Sequence, residues 1–343
     1  MSDFNWPETL SALIAGQDLG RERAQAAMTE VMEGRATEGQ IAAFVVGLRT
    51  KGESVDEMAG LVDGMFEAAV TVDAGSDVVD LVGTGGDRAG TFNISTTAAL
   101  VAAGAGVKIA KHGNRAASSK TGSADLLEQL GINLEMAPDA TVAMIREIGF
   151  GFFFAPAYHP AMRFAGPVRR QLGVRTVFNF LGPLCNPANT KRAAIGVSDA
   201  TMAERMAGVM AARGAEYAFV FYGHGGLDEL STAGVSTVHR VRQGEITTAQ
   251  FQPSDFGVPR STLDQIQGGD AEENERITRS VIEGAAGPHR DVVVINAAPA
   301  IVVAGLADGF EDGILLAQQA IDGGAAAAVL ERAVEFSAEH SDS

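Results

Sequence analysis

The sequence predicts an α/β protein in which a small all-helical N-terminal domain precedes a larger domain with a central, largely parallel sheet. Three observations carry this. The first ~70 residues hold only helical periodicities. From Asp77 onward, short β-branched runs alternate with helical patterns, as strand–helix–strand units do. Glycine supplies 41 of the 343 residues, about 12% against a usual ~7%, an excess that loops must explain. At ~150 residues per domain the length makes roughly two domains. A hydrophobic fraction of 46% is enough to bury a sizeable core and excludes disorder for the bulk of the chain.

In order, Pro7 stands at a first-turn position ahead of Leu10, Leu13 and Ile14, and a second apolar stripe, Ala24, Ala27, Met28, Val31 and Met32, stops at Gly34. Two capping boxes follow. Thr37 with Gln40 opens a helix carrying Ile41, Phe44, Val45 and Leu48, and Ser54 with Glu57 opens one carrying Met58, Leu61, Val62, Met65 and Phe66. Strands are then expected at Asp77 to Val82, Val107 to Ala110, Gly151 to Ala155, Arg192 to Val197, Tyr217 to Tyr222 and Asp291 to Asn296. Helices are expected at Ser95 to Ala103, Ser123 to Leu130, Ala140 to Ile148 and Thr201 to Ala212. The polar stretch Val235 to Phe251 reads as an antiparallel hairpin at a sheet edge. The segment His159 to Asn189, helical early and then rich in glycine and proline, is placed as a crossing back to the helical domain.

Composition narrows the function. A formal net charge of −17 repels polyanions and offers no basic stripe, so nucleic acid is not an expected partner. One cysteine, Cys185, makes neither an intramolecular disulfide nor a zinc site. The opening residues, Met1 to Pro7, lack a secretory signal, and the longest apolar stretch, Val292 to Leu306, is interrupted by Asn296, Pro299 and Gly305 and falls short of the ~20 residues a bilayer span needs. A soluble cytoplasmic protein with no membrane partner is the expectation.

Chemistry concentrates in three places. The first strand runs into Gly83-Thr84-Gly85-Gly86-Asp87, followed by Thr91-Phe92-Asn93-Ile94-Ser95-Thr96 at the mouth of the next helix. Glycines let the backbone approach an anion, whose charge a helix N-terminus favours. A tight turn with Ser95 or Thr96 as plain caps is the alternative. Arg88 breaks the dinucleotide fingerprint, and no G-K-[ST] follows for a P-loop. The second place is Lys111-His112-Gly113-Asn114-Arg115-Ala116-Ala117-Ser118-Ser119-Lys120-Thr121-Gly122-Ser123-Ala124-Asp125, which stacks cations, hydroxyls and glycines at a strand end, where open α/β sheets bind ligands. A solvated basic loop is the other reading. The third is His224-Gly225-Gly226-Leu227-Asp228-Glu229, whose adjacent carboxylates in a glycine-freed turn could meet a hard cation such as Mg²⁺ together with phosphate oxygens. Taken alone, such a pair is more often a solvated turn. The six histidines show no metal spacing.

These three motifs, with the run Arg175-Thr176-Val177-Phe178-Asn179-Phe180-Leu181-Gly182-Pro183-Leu184-Cys185-Asn186-Pro187, resemble the anthranilate phosphoribosyltransferase family in content and order over most of the chain. One departure is Arg88, where many relatives carry a smaller residue. The resemblance implies a helical domain over residues 1–73, joined by a segment near 160–190, and an α/β domain over 74–343. It also implies a homodimer formed through the helical domain.

It implies that Gly83, Gly86, Asp87, Thr91, Asn93, Ile94, Ser95, Thr96, Lys111, His112, Gly113, Asn114, Arg115, Ala116, Ala117, Ser118, Ser119 and Ser123 hold phosphoribosyl diphosphate. Gly83, Asn114 and Arg169 would hold anthranilate, and Ser95, Asp228 and Glu229 would bind Mg²⁺. The guanidinium of Arg169 suits a carboxylate because it presents a planar fork, with a surface helix charge as its other reading; only the resemblance chooses it over its neighbour Arg170, which reads as such a surface charge. The implied reaction is attack of the anthranilate amine on the anomeric carbon as diphosphate leaves, with no covalent intermediate and with Lys111 assisting the leaving group. A pyrimidine nucleoside phosphorylase is the enzyme rival, and it has no need of the Asp228-Glu229 pair. A non-catalytic nucleic-acid binder is the other, and it would need a basic groove.

Overall fold

The computed structural model describes residues 4–116 and 120–340. Four helices come first, α1 (Trp6–Ile14), α2 (Gly20–Met32), α3 (Glu38–Lys51) and α4 (Val55–Glu67). Pro7 lies in the first turn of α1, and both expected capping boxes are present. The second is reinforced. Glu57, fully buried, also accepts from Lys51 Nζ at 2.8 Å and from the Leu19 N–H at 3.0 Å, so its charge is compensated where water is excluded.

The rest of the chain builds one sheet from β1 (Val79–Gly83), β2 (Ile109–Gly113), β3 (Phe150–Phe154), β4 (Arg192–Gly196), β5 (Tyr217–Tyr222), β6 (Ser236–Arg242) and β7 (Glu245–Phe251). Its order is β3-β2-β1-β4-β5-β6-β7; the five strands β1 to β5 run parallel, and β6 and β7 add an antiparallel edge. The expected hairpin turns through Gln243 and Gly244, at φ of 51° and 84°, the left-handed pair that a two-residue hairpin needs. The intervening helices are α5 (Ile94–Gly104), α6 (Ser123–Gln129), α7 (Pro138–Ile148), α8 (Ala155–Tyr158), α9 (Gly166–Leu172), α10 (Phe178–Leu181), α11 (Ala200–Ala212), α12 (Ala271–Ile282), α13 (Pro288–Val303), α14 (Phe310–Asp322) and α15 (Ala325–Glu339).

The strand expected at Asp291 to Asn296 is instead the middle of α13. Pro288 presets the helical φ in its first turn, and every residue from Val292 to Val303 is buried. A helix buried all round shows no amphipathic period, so its β-branched run looks like an inner strand. Asn296 within it is satisfied by the Leu230 N–H at 2.7 Å and by the Leu230 and Val292 carbonyls.

Alternation along the strands sends side chains into two cores. Leu81, Ala194, Phe219 and Phe221 pack with α5 and α12 to α15 on one face. Val82, Ala193, Ile195, Ala218 and Val220 pack on the other with α1 to α4, α11 and the 161–185 segment. Ion pairs stitch this second face, Arg205 to Glu53 at 3.2 Å, Arg49 to Asp199 at 3.4 Å, and Arg213 to Asp63. Among the described residues no single helix is long and apolar enough to cross a membrane. The first connection from β1 leads to β2 on one side while β4 pairs on the other, so the carboxyl end of β1 is a topological switch point, where such sheets bind ligands.

Candidate active site

At that switch point β1 ends on Gly83 beside its register partner Gly196 of β4. A Cβ on Gly196 would run into the Asp228 carbonyl, and one on Gly83 into Asp228 Oδ2. The paired glycines thus let the loop after β5 lie across the sheet end. There Asp228 Oδ2 accepts from the Gly85 N–H at 2.6 Å, and Glu229 Oε1 accepts from the Ser95 N–H at 3.0 Å, at the N-terminus of α5. Asp228 and Glu229 are 8% and 7% exposed. Burial, with the charge of Asp87 behind it, pushes Asp228 up to about 7. Burial and the charge of Asp228 push Glu229 well above the usual carboxylate range.

A buried cation that acts on these acids is Lys111, whose Nζ donates to the Leu81 carbonyl at 2.5 Å and lies 3.4 Å from Ser95 Oγ. Burial draws its pKa down, while Asp80, Glu229 and Asp228 pull it back up. Four carboxylates, Asp80, Asp87, Asp228 and Glu229, therefore face two cations, Lys111 and Arg175, a deficit of positive charge around the site. A hard divalent cation would relieve it, so the donor set of Asp228, Glu229 and the Ser95 hydroxyl fits Mg²⁺. Among the described residues no three acid, histidine or cysteine side chains form a ready metal cage, so substrate oxygens would complete the coordination.

The glycine loop bends through Gly85 and Gly86 at φ of 68° and 76°. Behind it stands Arg175, to which sequence reasoning attached no role. Its Nη2 donates to the Gly85 carbonyl at 3.3 Å and to Ser198 Oγ at 2.9 Å, and its Nη1 to the Gly86 carbonyl at 3.4 Å. The run from Arg175 to Pro187 was legible as a motif, but its contact with residues ninety positions earlier was not. Arg88 is exposed and held at φ 59°.

The loop after β2 forms the opposite wall. Asp125 Oδ2 shapes it by accepting from the Ala116 and Gly122 N–H groups at 3.0 and 2.8 Å. Arg115 differs from its expected part in an anion loop: its guanidinium pairs with Asp125 and Glu128 and lies over the Phe154 ring at 5.4 Å. Ala117, Ser118 and Ser119 lie outside the described residues.

Between the walls opens a cleft of about 830 Å³ lined by Gly83, Gly86, Asn93, Ser95, Thr96, Lys111, His112, Gly113, Asn114, Arg115, Ala116, Ser123, Arg169 and Asp228 among others. The fold thus brings most of the expected residues together, although Asp87, Thr91 and Glu229 are not among those that line the cleft. Ile94 is an exception, since its side chain is buried in the core and its N–H donates to the Phe92 carbonyl. Thr91 pairs with Gln267 in an isolated bridge, and the Asn93 amide is taken up by the Thr121 carbonyl and Asn274. His112 is neutral, held down to about 3 by burial; its Nδ1 meets the Gly182 carbonyl at 3.1 Å.

Arg169, on α9, enters the cleft wall with its guanidinium 5.5 Å from the Phe178 ring centroid. Among the described residues no carboxylate lies within ion-pair distance of it, and burial draws its pKa down. Arg170 also reaches the cleft but is exposed. A half-buried, unpaired guanidinium lining the same cleft as the buried Asp228 can take a carboxylate.

Comparisons with known proteins agree with this geometry. Residues 75–327 match the glycosyl transferase family a/b domain, and residues 7–69 match the helical bundle domain of the same family. The chain is 49% identical over 337 residues to an anthranilate phosphoribosyltransferase of Rhodococcus opacus, covering 96% of this chain and 93% of the relative. It superposes with a TM-score of 0.91 and 41% identity on the anthranilate phosphoribosyltransferase of Thermus thermophilus, covering 96% and 99% of the two chains. The Saccharomyces cerevisiae enzyme of that name, solved in complex with PRPP and Mg, superposes with a TM-score of 0.89 at 27% identity, covering 98% and 99%.

Proposed function

This chain belongs to the anthranilate phosphoribosyltransferase family, and from that premise we propose how its own residues divide the work. The enzyme transfers the phosphoribosyl group of 5-phosphoribosyl 1-diphosphate to the amine of anthranilate in tryptophan biosynthesis, releasing diphosphate, with Mg²⁺ as the metal. Asp228, Glu229 and the Ser95 hydroxyl hold the Mg²⁺, which when bound neutralises charge on the diphosphate. The N–H groups of Gly86 and Asp87, which meet no protein acceptor among the described residues, face the same anion. Lys111 adds a buried positive charge as the carbon–oxygen bond lengthens, worth most in a site that water does not screen. Arg169 and Asn114 orient anthranilate through its carboxylate. The aryl amine is already neutral near pH 7, so alignment contributes more than a strong general base would.

The observation that carries this division is that Asp228 lines one cleft with an unpaired Arg169, while Asp228 and its buried neighbour Glu229 accept from the N–H groups of the cleft residues Gly85 and Ser95. Loss of anthranilate fluorescence, followed with and without phosphoribosyl diphosphate and Mg²⁺, tests it. Consumption of anthranilate that needs no Mg²⁺ would contradict the acid pair's role.

The same reading divides the chain into a helical domain over 1–73 joined by a segment near 160–190, and an α/β domain over 74–343. Two copies pair through the helical domain, a reading supported by Ile14 and Val46, apolar yet 87% and 41% exposed on α1 and α3. A cytoplasmic setting is supported by the lone, free and buried Cys185. Sedimentation equilibrium of wild type against Ile14→Asp tests the pairing, and a monomeric wild type would refute it.

A further inference from the structure

We infer that Arg175 is a positioning residue for phosphoribosyl diphosphate: from behind the glycine loop it fixes the Gly85 and Gly86 peptides so that the following N–H groups point into the cleft. The inference rests on the function proposed above and names a group that supports the substrate without touching it.

The geometry is one-sided. Gly83, Thr84, Gly85 and Gly86 all line the cleft, whereas Arg175 and Ser198 do not. Arg175 reaches the loop from its far side and donates to two successive carbonyls, those of Gly85 and Gly86. In a planar trans peptide the C=O and the next N–H point in opposite directions. Drawing both carbonyls back toward Arg175 therefore turns the Gly86 and Asp87 N–H groups forward. Two successive N–H groups turned the same way form an anion nest, and neither is used by the protein among the described residues.

Two further contacts keep Arg175 in place. Ser198 Oγ bonds the guanidinium at 2.9 Å and also donates to the Gly85 carbonyl at 2.9 Å, while Thr84 Oγ1 lies 3.2 Å from it. The guanidinium lies 4.8 Å from the centroid of Phe180, a fully buried ring that Arg49 of α3 also approaches, at 5.7 Å. Stacking on a buried ring gives the planar fork one orientation. The loop is thereby braced against the helical domain through Arg49 and Phe180. A free glycine loop would sample both peptide orientations, so presetting one lowers the ordering cost at substrate binding.

The test uses the full chain and Mg²⁺ with phosphoribosyl diphosphate, read by calorimetric binding and by steady-state kinetics. Arg175→Met keeps bulk over Phe180 but loses both carbonyl bonds. It should weaken phosphoribosyl diphosphate binding and raise its KM by roughly tenfold or more, with the anthranilate KM within about twofold and little change in Tm. Arg175→Lys, a point charge able to meet one carbonyl, should recover part of the loss. Ser198→Ala should show a smaller defect of the same selectivity, because Ser198 acts on the same carbonyl from outside the cleft.

Unchanged phosphoribosyl diphosphate affinity in folded Arg175→Met would overturn the inference, as would equal rises in both KM values with a lowered Tm. A wild-type Ser198→Ala beside an impaired Arg175→Met would also overturn it, since Arg175 would then be touching the substrate itself. Binding is measured apart from turnover. A wild type that binds phosphoribosyl diphosphate without consuming anthranilate therefore refutes the proposed function alone, and the affinity ratios still judge Arg175.

Discussion

Asp228 rests its backbone carbonyl against Gly196 at the spot a Cβ would occupy, although the one lies in the loop after β5 and the other at the end of β4. The metal-side acids thus depend on a side chain that is absent. Gly196→Ala should push the 227–229 loop off the sheet end, at an overpacking cost of about 1–3 kcal/mol. It should also raise the Mg²⁺ needed for half-maximal rate several-fold. Thermal melts and a Mg²⁺ titration check both, and wild-type Mg²⁺ dependence in a folded variant would contradict the account.

Asp228→Asn and Glu229→Gln should each raise the Mg²⁺ requirement, and the double variant more so. Without ligand the melting temperature should hold or rise, because each removes a buried charge that burial and a neighbouring acid already disfavour. A marked fall in ligand-free stability would show the carboxylates to be structural.

Arg169→Ala should cost one to two orders of magnitude in kcat/KM for anthranilate, since a charge-assisted bond contributes about 1.5–3 kcal/mol and ~1.4 kcal/mol is tenfold. The loss should fall mainly on KM, with phosphoribosyl diphosphate binding nearly unchanged. Arg169→Lys should recover only part, and Arg170→Ala should stay within a few-fold of wild type. Kinetics varying each substrate in turn decide it; a defect in Arg170→Ala and none in Arg169→Ala would reverse the assignment.

Burial, then the charges of His159 and Lys111, disfavour the His112 cation and push its pKa down from the usual 6.5 to about 3. The unfolded chain takes up a proton that the folded one refuses. The stability this histidine contributes is therefore complete above its unfolded pKa and is lost as pH falls toward the folded value, by up to about 1.4 kcal/mol per pH unit. His159, also lowered by burial, steepens the same limb. His112→Asn, which can still donate to the Gly182 carbonyl, should flatten the stability curve between about pH 6 and 4. Denaturant titrations across that range measure it, and parallel curves would refute it.

The sequence by itself determined the class of fold and the chemistry of the cleft. Local signals suffice there: the Thr37–Gln40 and Ser54–Glu57 boxes, the Gln243-Gly244 turn, and glycine runs at the ends of β-branched strands act within a few residues. The expected donors on the loops after β1, β2 and β5 converge because parallel strands place their carboxyl ends on one edge. Tertiary structure alone decided what burial and long-range contact control. Val292 to Ile295 became helix because burial on every side erases the period that separates helix from strand. Arg115 turned to Asp125 and Glu128, and Ile94 into the core, because neighbours brought by α6 and the sheet outweigh a motif's local pattern. The deficit of positive charge around Asp228 and Glu229, and the grip of Arg175 on Gly85 and Gly86, join residues that lie far apart in sequence, 89 and 90 positions in the case of Arg175. Such contacts have no periodicity to read, since only the packed sheet sets their distances and the low dielectric that gives them weight.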